Sequence, residues 1–250
     1  INYFNVFAIE VPSNESGTDH PGTAYDCGGD AGNVFYADTY FNSTFDYGGI
    51  HRALVATNTS AAYDVLINNT PQWDIVFIMV NTTMYGGTGG AFATFSRHEL
   101  SIEIAIHEIG HSFSGLADEY WFSGWETANM TQESNPLFNK WSPWLYDNGI
   151  GIYQYESPGN NWYRPHQNCK MRYLGPPFCS VCAEKTIISV YSILDPIDTY
   201  FPENLELTVP ASGTEYFSIN PIPTVPSFIT IDWFIDEQTI NHGSTSIELE

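Results

Sequence analysis

His107-Glu108-Ile109-Gly110-His111-Ser112-Phe113-Ser114-Gly115-Leu116-Ala117-Asp118-Glu119-Tyr120 is the stretch that decides how this chain reads. It begins inside the strongest helical pattern of the sequence, residues 99–114, whose opening turns carry Glu99 and Glu103 where the helix dipole favours anions. At 3.6 residues per turn, His107 and His111 fall on one helical face, so both imidazoles can reach one cation. Ile102, Ile104, Ala105 and Ile106 flank the pair and predict a buried helix. Two histidines and a glutamate buried together are costly unless they share a partner. A zinc ion with an open position for water takes such neutral nitrogen ligands. Glu108, next to the first histidine, can reach a water on that metal without ligating it.

A third ligand is needed. The helix should break at Gly115, where left-handed backbone is easiest, and the chain then turns back. Asp118 is the expected third ligand, with Glu119 beside it as the alternative. Met171 and Tyr173 stand some 60 residues beyond His111 in Cys169-Lys170-Met171-Arg172-Tyr173.

Upstream, residues 3–11 read as a strand and residues 13–33 as a long loop. A helix is expected around residues 49–69, closed by Pro71. Residues 73–80 form a continuous apolar run that predicts a buried central strand. Gly86-Gly87-Thr88-Gly89-Gly90 reads as a turn and Ala91–Ser96 as a second short strand. The glycines would let a substrate backbone approach closely, and Gly89, Gly90, Ala91 and Phe92 are the candidate substrate-binding residues. Downstream, residues 120–165 are aromatic-rich without a period, and residues 183–194 are helical again. Leu205–Val209, Ile229–Ile235 and Ser246–Leu249 alternate in the manner of strands. The fold class is therefore α+β: a catalytic domain over 1–198, followed over 199–250 by a partial all-β, immunoglobulin-like module that is too short for a full sandwich.

The order of these features resembles the metzincin plan: His-Glu-x-x-His, a glycine, a third ligand, then a Met-containing turn. It departs from that plan in spacing, since Gly115 and Asp118 fall four and seven residues after His111. With Cys169-Lys170-Met171 and Phe178-Cys179-Ser180-Val181-Cys182, the altered spacing resembles the bacterial IgA peptidase family of zinc metallopeptidases across about residues 3–195. The resemblance implies a metzincin-like zinc peptidase domain, a twisted mixed sheet with an active-site helix, in which Ala91–Thr94 would be the sheet's edge strand and an extended peptide could add to it. It also implies His107, His111 and Asp118 as zinc ligands, Glu108 as catalytic acid/base, Met171 as an apolar floor under the metal and Tyr173 as an oxyanion donor. The expected activity is that of an endopeptidase hydrolysing peptide bonds, with a zinc-bound water activated by Glu108. The competing reading is a glycan- or protein-binding module with a structural, non-catalytic metal.

Composition narrows the partners. Seven Lys and Arg stand against 29 Asp and Glu, a formal net charge of −22. Such a surface repels phosphate backbones and anionic lipid heads, so nucleic acid is not expected as a partner. No apolar run is long enough to insert in a membrane. Extracellular polypeptides or glycoproteins are the expected substrates, and a secreted or cell-surface bacterial location is the expected one. The chain opens on the apolar run Tyr3–Ile9, which reads as a trimmed start with further domains missing. Cys27, Cys169, Cys179 and Cys182 are disulfide candidates, with one bridge anchoring the Met turn through Cys169. Alternatively, His166, Cys169, Cys179 and Cys182 have the spacing of a second zinc site. Asp26 and Asp30 are weak calcium candidates, and His20, His51 and His98 read as solvent or core histidines.

Overall fold

A computed structural model describes residues 4–27, 34–121, 124–156, 159–204, 206–208, 213–222 and 229–249. The chain is mixed α+β with small sheets, and it divides into two compact units, Ala8–Ser189 and Val190–Glu250 with Ile1–Phe7.

In the larger unit, β1 (Ser43–Thr44) pairs antiparallel with β2 (Val55–Ala56). α1 (Thr59–Asn69) follows, and Asn58 caps it by accepting the Ala61 N–H at 3.3 Å. The helix expected around residues 49–69 thus starts only at Thr59. The reason is visible at Leu54, which is fully buried from an extended segment and packs with Phe45, Ala62 and Leu66. The apolar residues of 53–54 belong to the core through a loop, not through a helical face.

β3 (Phe77–Val80), β4 (Gly87–Thr88) and β5 (Ala93–Ser96) form a three-stranded sheet in the order β3-β5-β4. β5 runs parallel to β3 and antiparallel to β4. Two expectations are corrected here. The apolar run 73–80 is not a fully buried strand: Ile78 and Val80 face the core while Phe77 and Met79 face outward. Residues 93–96 are the sheet's middle strand, because the glycine segment supposed to be a turn supplies β4 as the strand outside it.

α2 (Ser101–Ser112) packs on β4 and β5. Only one face is buried, through Ile104, His107, Glu108 and Gly110; Ile102 is exposed. The helix ends as the sequence suggests. Gly115 has φ 62°, its N–H bonds to the His111 carbonyl at 3.0 Å, and the Leu116 N–H reaches back to the Gly110 carbonyl at 2.9 Å. Beyond it, the described residues of 116–179 are mostly irregular, with the short antiparallel pair β6 (Tyr153–Gln154) and β7 (Tyr163–Arg164). Trp141, Leu116, Ile150 and Met171 form their core with the cysteines. α3 (Ser180–Tyr191) closes the unit.

Between residues 197 and 249 the regular structure of the smaller unit is all β-strand among the described residues. β8 (Ile197–Phe201), β9 (Glu215–Pro221) and β12 (Ser246–Leu249) form one antiparallel sheet, and β10 (Asp232–Ile235) pairs with β11 (Gln238–His242). Of the strand expected at 205–209, Leu205 and Val209 lie outside the described residues, and residues 206–208 are not strand. The strand expected at 3–11 is likewise absent over residues 4–11. Val6 and Phe7 are both exposed there, so this segment lacks the one-sided burial that an alternating strand needs.

Candidate active site

The helical register of α2 brings the two imidazoles together, with their ring centroids 4.8 Å apart. The His107 Nδ1–H donates to the Lys170 carbonyl at 3.0 Å, and the His111 Nδ1–H donates to the Leu116 carbonyl at 2.8 Å. Those bonds leave each Nε2 with its lone pair directed at the same point. The Gly115 turn delivers a carboxylate to that point. Asp118 Oδ1 lies 3.1 Å from His107 Nε2 and 3.2 Å from His111 Nε2, and the two Nε2 atoms are 3.1 Å apart. With both imidazoles neutral, as metal ligands must be, the three acceptor atoms of this near-equilateral triangle have no proton to share. A tetrahedral zinc with ligands at 2.0–2.1 Å holds them about 3.3 Å apart, so this donor set fits zinc.

Glu119, the alternative ligand, points elsewhere. It is fully buried, and its carboxylate stands with Cys169, Cys179 and Cys182. Asp118 thus goes to the histidines and Glu119 to the cysteines.

Glu108 is buried beside the histidines, and burial pushes its carboxyl above the ordinary carboxylate range despite the nearby imidazoles. A side chain built at Gly89 would meet Glu108 Oε2 at 2.8 Å and His111 Cβ at 2.9 Å. Gly89 is therefore backbone that lies directly against Glu108 and His111. Gly90, with φ 155°, continues the bend, and Ala91 is exposed. Phe92, expected to bind substrate, is buried in the core just before β5, against Tyr63, with ring centroids 5.0 Å apart.

The 169–173 turn supports the helix from the other side. Lys170 is buried and ion-paired to Glu103 of α2, whose carboxylate also accepts the Gly175 N–H at 2.8 Å. The Met171 carbonyl accepts the Glu119 N–H at 2.7 Å. Fully buried Met171 lies against Gly110, where an added Cβ would meet its sulfur at 2.5 Å. Tyr173 is half exposed, with the Arg172 guanidinium over its ring. Tyr120, which sequence reasoning passed over, stacks on His107 at 6.4 Å between centroids, and its hydroxyl accepts from Arg52 Nη2 at 3.0 Å. Burial and the charge of Asp118 push its phenol up to about 12, so it remains a proton donor. Its signal lay only in its place two residues after Asp118.

A family model described as IgA peptidase M64 matches residues 1–148. The chain belongs to this family. A comparison with curated proteins finds no match. The matched region includes His107, Glu108, His111 and Asp118, and this member of the family is accordingly a peptidase. No helix among the described residues is long and apolar enough to cross a membrane.

The cysteines depart from the disulfide expectation. All four are free thiols. Cys27 is drawn away by His20, Asp46 and His51, and the other three gather around Glu119. His166 is not part of that group; its Nδ1 accepts the Asn168 N–H at 2.9 Å. The calcium reading has no support. Asp26 accepts the His51 N–H at 2.7 Å, and Asp30 lies outside the described residues.

The triangle also sets a pH response of the metal-free protein. Burial alone would lower the His111 imidazole, but the hydrogen bond and charge of Asp118 carry it from 6.5 up to about 9. Burial would raise Asp118, but His107 and His111 hold it well below its ordinary 3.8. A raised histidine contributes stability that is complete below pH 6.5 and lost as the pH rises through about 9. The depressed aspartate contributes stability lost only as the pH falls below 3.8. Chelated protein should therefore melt at a lower temperature at about pH 9.5 than at about pH 6, and the zinc-loaded protein should change much less. Calorimetry with and without chelator checks this; equal slopes for both forms would refute the pairing.

Proposed function

We propose that this chain is a secreted bacterial zinc-dependent endopeptidase that hydrolyses peptide bonds in extracellular protein or glycoprotein substrates. The observation that carries the reading is the convergence of His107 Nε2, His111 Nε2 and Asp118 Oδ1 within 3.1–3.2 Å, each Nδ1 being tied to a backbone carbonyl. These residues would hold the zinc. When bound, the ion supplies Lewis acidity toward the scissile carbonyl and the attacking water.

The chain's own groups do the rest. Glu108 takes the proton from the attacking water and returns it to the leaving amine; its raised affinity for a proton suits both directions. Gly89 lets an extended substrate backbone lie over Glu108 and His111, alongside β4. Met171 floors the site through Gly110, the role of a Met turn in a metzincin-like domain. Tyr120, aimed by Arg52, donates to the developing oxyanion, with Tyr173 as the second candidate. In this reading the catalytic domain extends over residues 1–198 and residues 199–250 form an immunoglobulin-like module.

Metal analysis of the wild type against His107→Ala, with a digest of mixed unfolded proteins read by mass spectrometry, tests the proposal. Zinc lost in His107→Ala together with cleavage by the wild type alone is the expected result. A wild type that binds zinc and cuts nothing would sink it. Tyr120→Phe should lower kcat by about 10²-fold, the scale of one oxyanion donor. Tyr173→Phe should lower it less, and the reverse order would reassign the donor.

A further inference from the structure

Glu119, Cys169, Cys179 and Cys182 are all buried, and their ligand atoms lie within 4.8 Å of one another. Cys169 and Cys182 sulfurs are 3.7 Å apart, and Cys182 Sγ is 3.3 Å from Glu119 Oε1. Sulfurs at 2.3 Å from a tetrahedral zinc stand about 3.8 Å apart, and a sulfur and an oxygen about 3.5 Å apart. The spacing is that of a metal's ligand shell. An odd number of cysteines in one cluster, with Cys27 elsewhere, would also leave a thiol over after any disulfide. Glu119 Oε2 is buried without a hydrogen-bond partner. An unpartnered carboxylate oxygen among thiols is expensive to bury unless a cation joins them. The surroundings are built to receive negative sulfur: the Cys179 N–H donates to Cys169 Sγ at 3.3 Å, and Asn129 Nδ2 donates to Glu119 Oε1 at 3.1 Å. Cys179 and Cys182 also sit at the start of α3, the positive end of its dipole.

We propose that this cluster is a structural zinc site, closed by protein on all sides and separate from the hydrolytic centre. It joins the turn carrying Asp118 to the turn carrying Met171 and the start of α3, some 50 residues or more further along the chain. Because Glu119 follows Asp118 and Cys169 precedes Lys170, the ion fixes both backbones that position the histidine–aspartate triangle.

A second cluster carries the same inference independently. His51 Nδ1 lies 3.0 Å from Asp46 Oδ1, 3.3 Å from Cys27 Sγ and 3.3 Å from His20 Nε2, and Cys27 Sγ lies 3.4 Å from Asp46 Oδ1. One ring nitrogen has one proton or one lone pair and cannot serve three partners. Four donors that close around a point fit a tetrahedral His2CysAsp zinc site, which would pin the loop before β1 to the segment leading into Arg52.

The experiment is metal counting on the full chain purified without chelator, by elemental analysis and native mass spectrometry. The expected result is one zinc ion for each cluster in addition to the hydrolytic one, with four thiols titrating after denaturation. A brief chelator treatment should strip the more open hydrolytic ion and leave the other two. His107→Ala, Cys182→Ser and Cys27→Ser should each lose one ion and spare the others. Cobalt exchange separates the sites without any variant. Sulfur-to-cobalt charge transfer should be strong for the three-thiolate site, weaker for the site with one thiolate, and lacking at the histidine–aspartate triangle. A wild type holding only the ion lost in His107→Ala would overturn both proposals, and two missing thiols would name a disulfide as the reason. Because the hydrolytic ion is counted separately, failure of these sites and failure of the peptidase reading give different results.

Discussion

Glu108→Gln abolishes hydrolysis while the protein keeps its zinc. The substitution preserves the size of a buried side chain and leaves His107, His111 and Asp118 untouched, so the triangle of 3.1–3.2 Å stays whole. What is lost is the ability to hold a proton between its removal from water and its delivery to the amine. General acid–base catalysis contributes about 10²–10⁴-fold, equivalent to roughly 3–5 kcal/mol of barrier. The loss should appear in kcat with KM nearly unchanged, because Glu108 acts in the transition state and not in ground-state binding. Steady-state kinetics on a peptide found in the digest, with zinc measured on the same sample, checks it. Turnover at the wild-type rate would remove Glu108 from the mechanism, and loss of zinc would make it a ligand.

Gly110→Val should be the most damaging substitution in the helix that leaves every ligand in place. Position 110 is helical, so replacing glycine by alanine would ordinarily gain about 1 kcal/mol from backbone entropy alone. Here the added Cβ would sit 2.5 Å from the Met171 sulfur, 3.2 Å from its methyl and 3.2 Å from Phe178 Cε1. Met171 is fully buried, its carbonyl is held by Glu119, and its neighbour Lys170 is ion-paired to Glu103. The turn cannot retreat without breaking those bonds. Overpacking costs about 1–3 kcal/mol for a modest insertion, which outweighs the propensity gain for valine and roughly cancels it for alanine. Valine should therefore lower the melting temperature by several degrees, about 2–4 °C per kcal/mol in a chain of this size, and alanine by little or nothing. Both should lose activity, since displacing Met171 moves Lys170 and so the carbonyl that orients His107. Valine that melts with the wild type would show that the turn yields freely.

The site was largely legible from residues 107–118 because its geometry is local. Two histidines four apart share a helical face in any α-helix, and Gly115 ends that helix by a backbone preference that belongs to glycine itself. Whether Asp118 or Glu119 reached the histidines was not local. Both follow the same turn, and what separates them is the cysteine cluster that draws Glu119 away. Tyr120 was missed because its value comes from Arg52, which no spacing in the sequence connects to it. Phe92 and the sheet edge were misplaced because a glycine segment reads as a turn until a neighbouring strand pairs with it.

The sequence by itself determined the α+β class, the helix and its histidine–glutamate–histidine face, the left-handed turn at Gly115 and the all-β tail, since periodicity and glycine backbone freedom act over a few residues. Only the tertiary structure decided that Glu119 joins Cys169, Cys179 and Cys182, that His20, Cys27, Asp46 and His51 meet, and that Met171 rests on Gly110. Those partners are brought together by burial of a shared core, and burial depends on the whole folded chain, not on spacing along it.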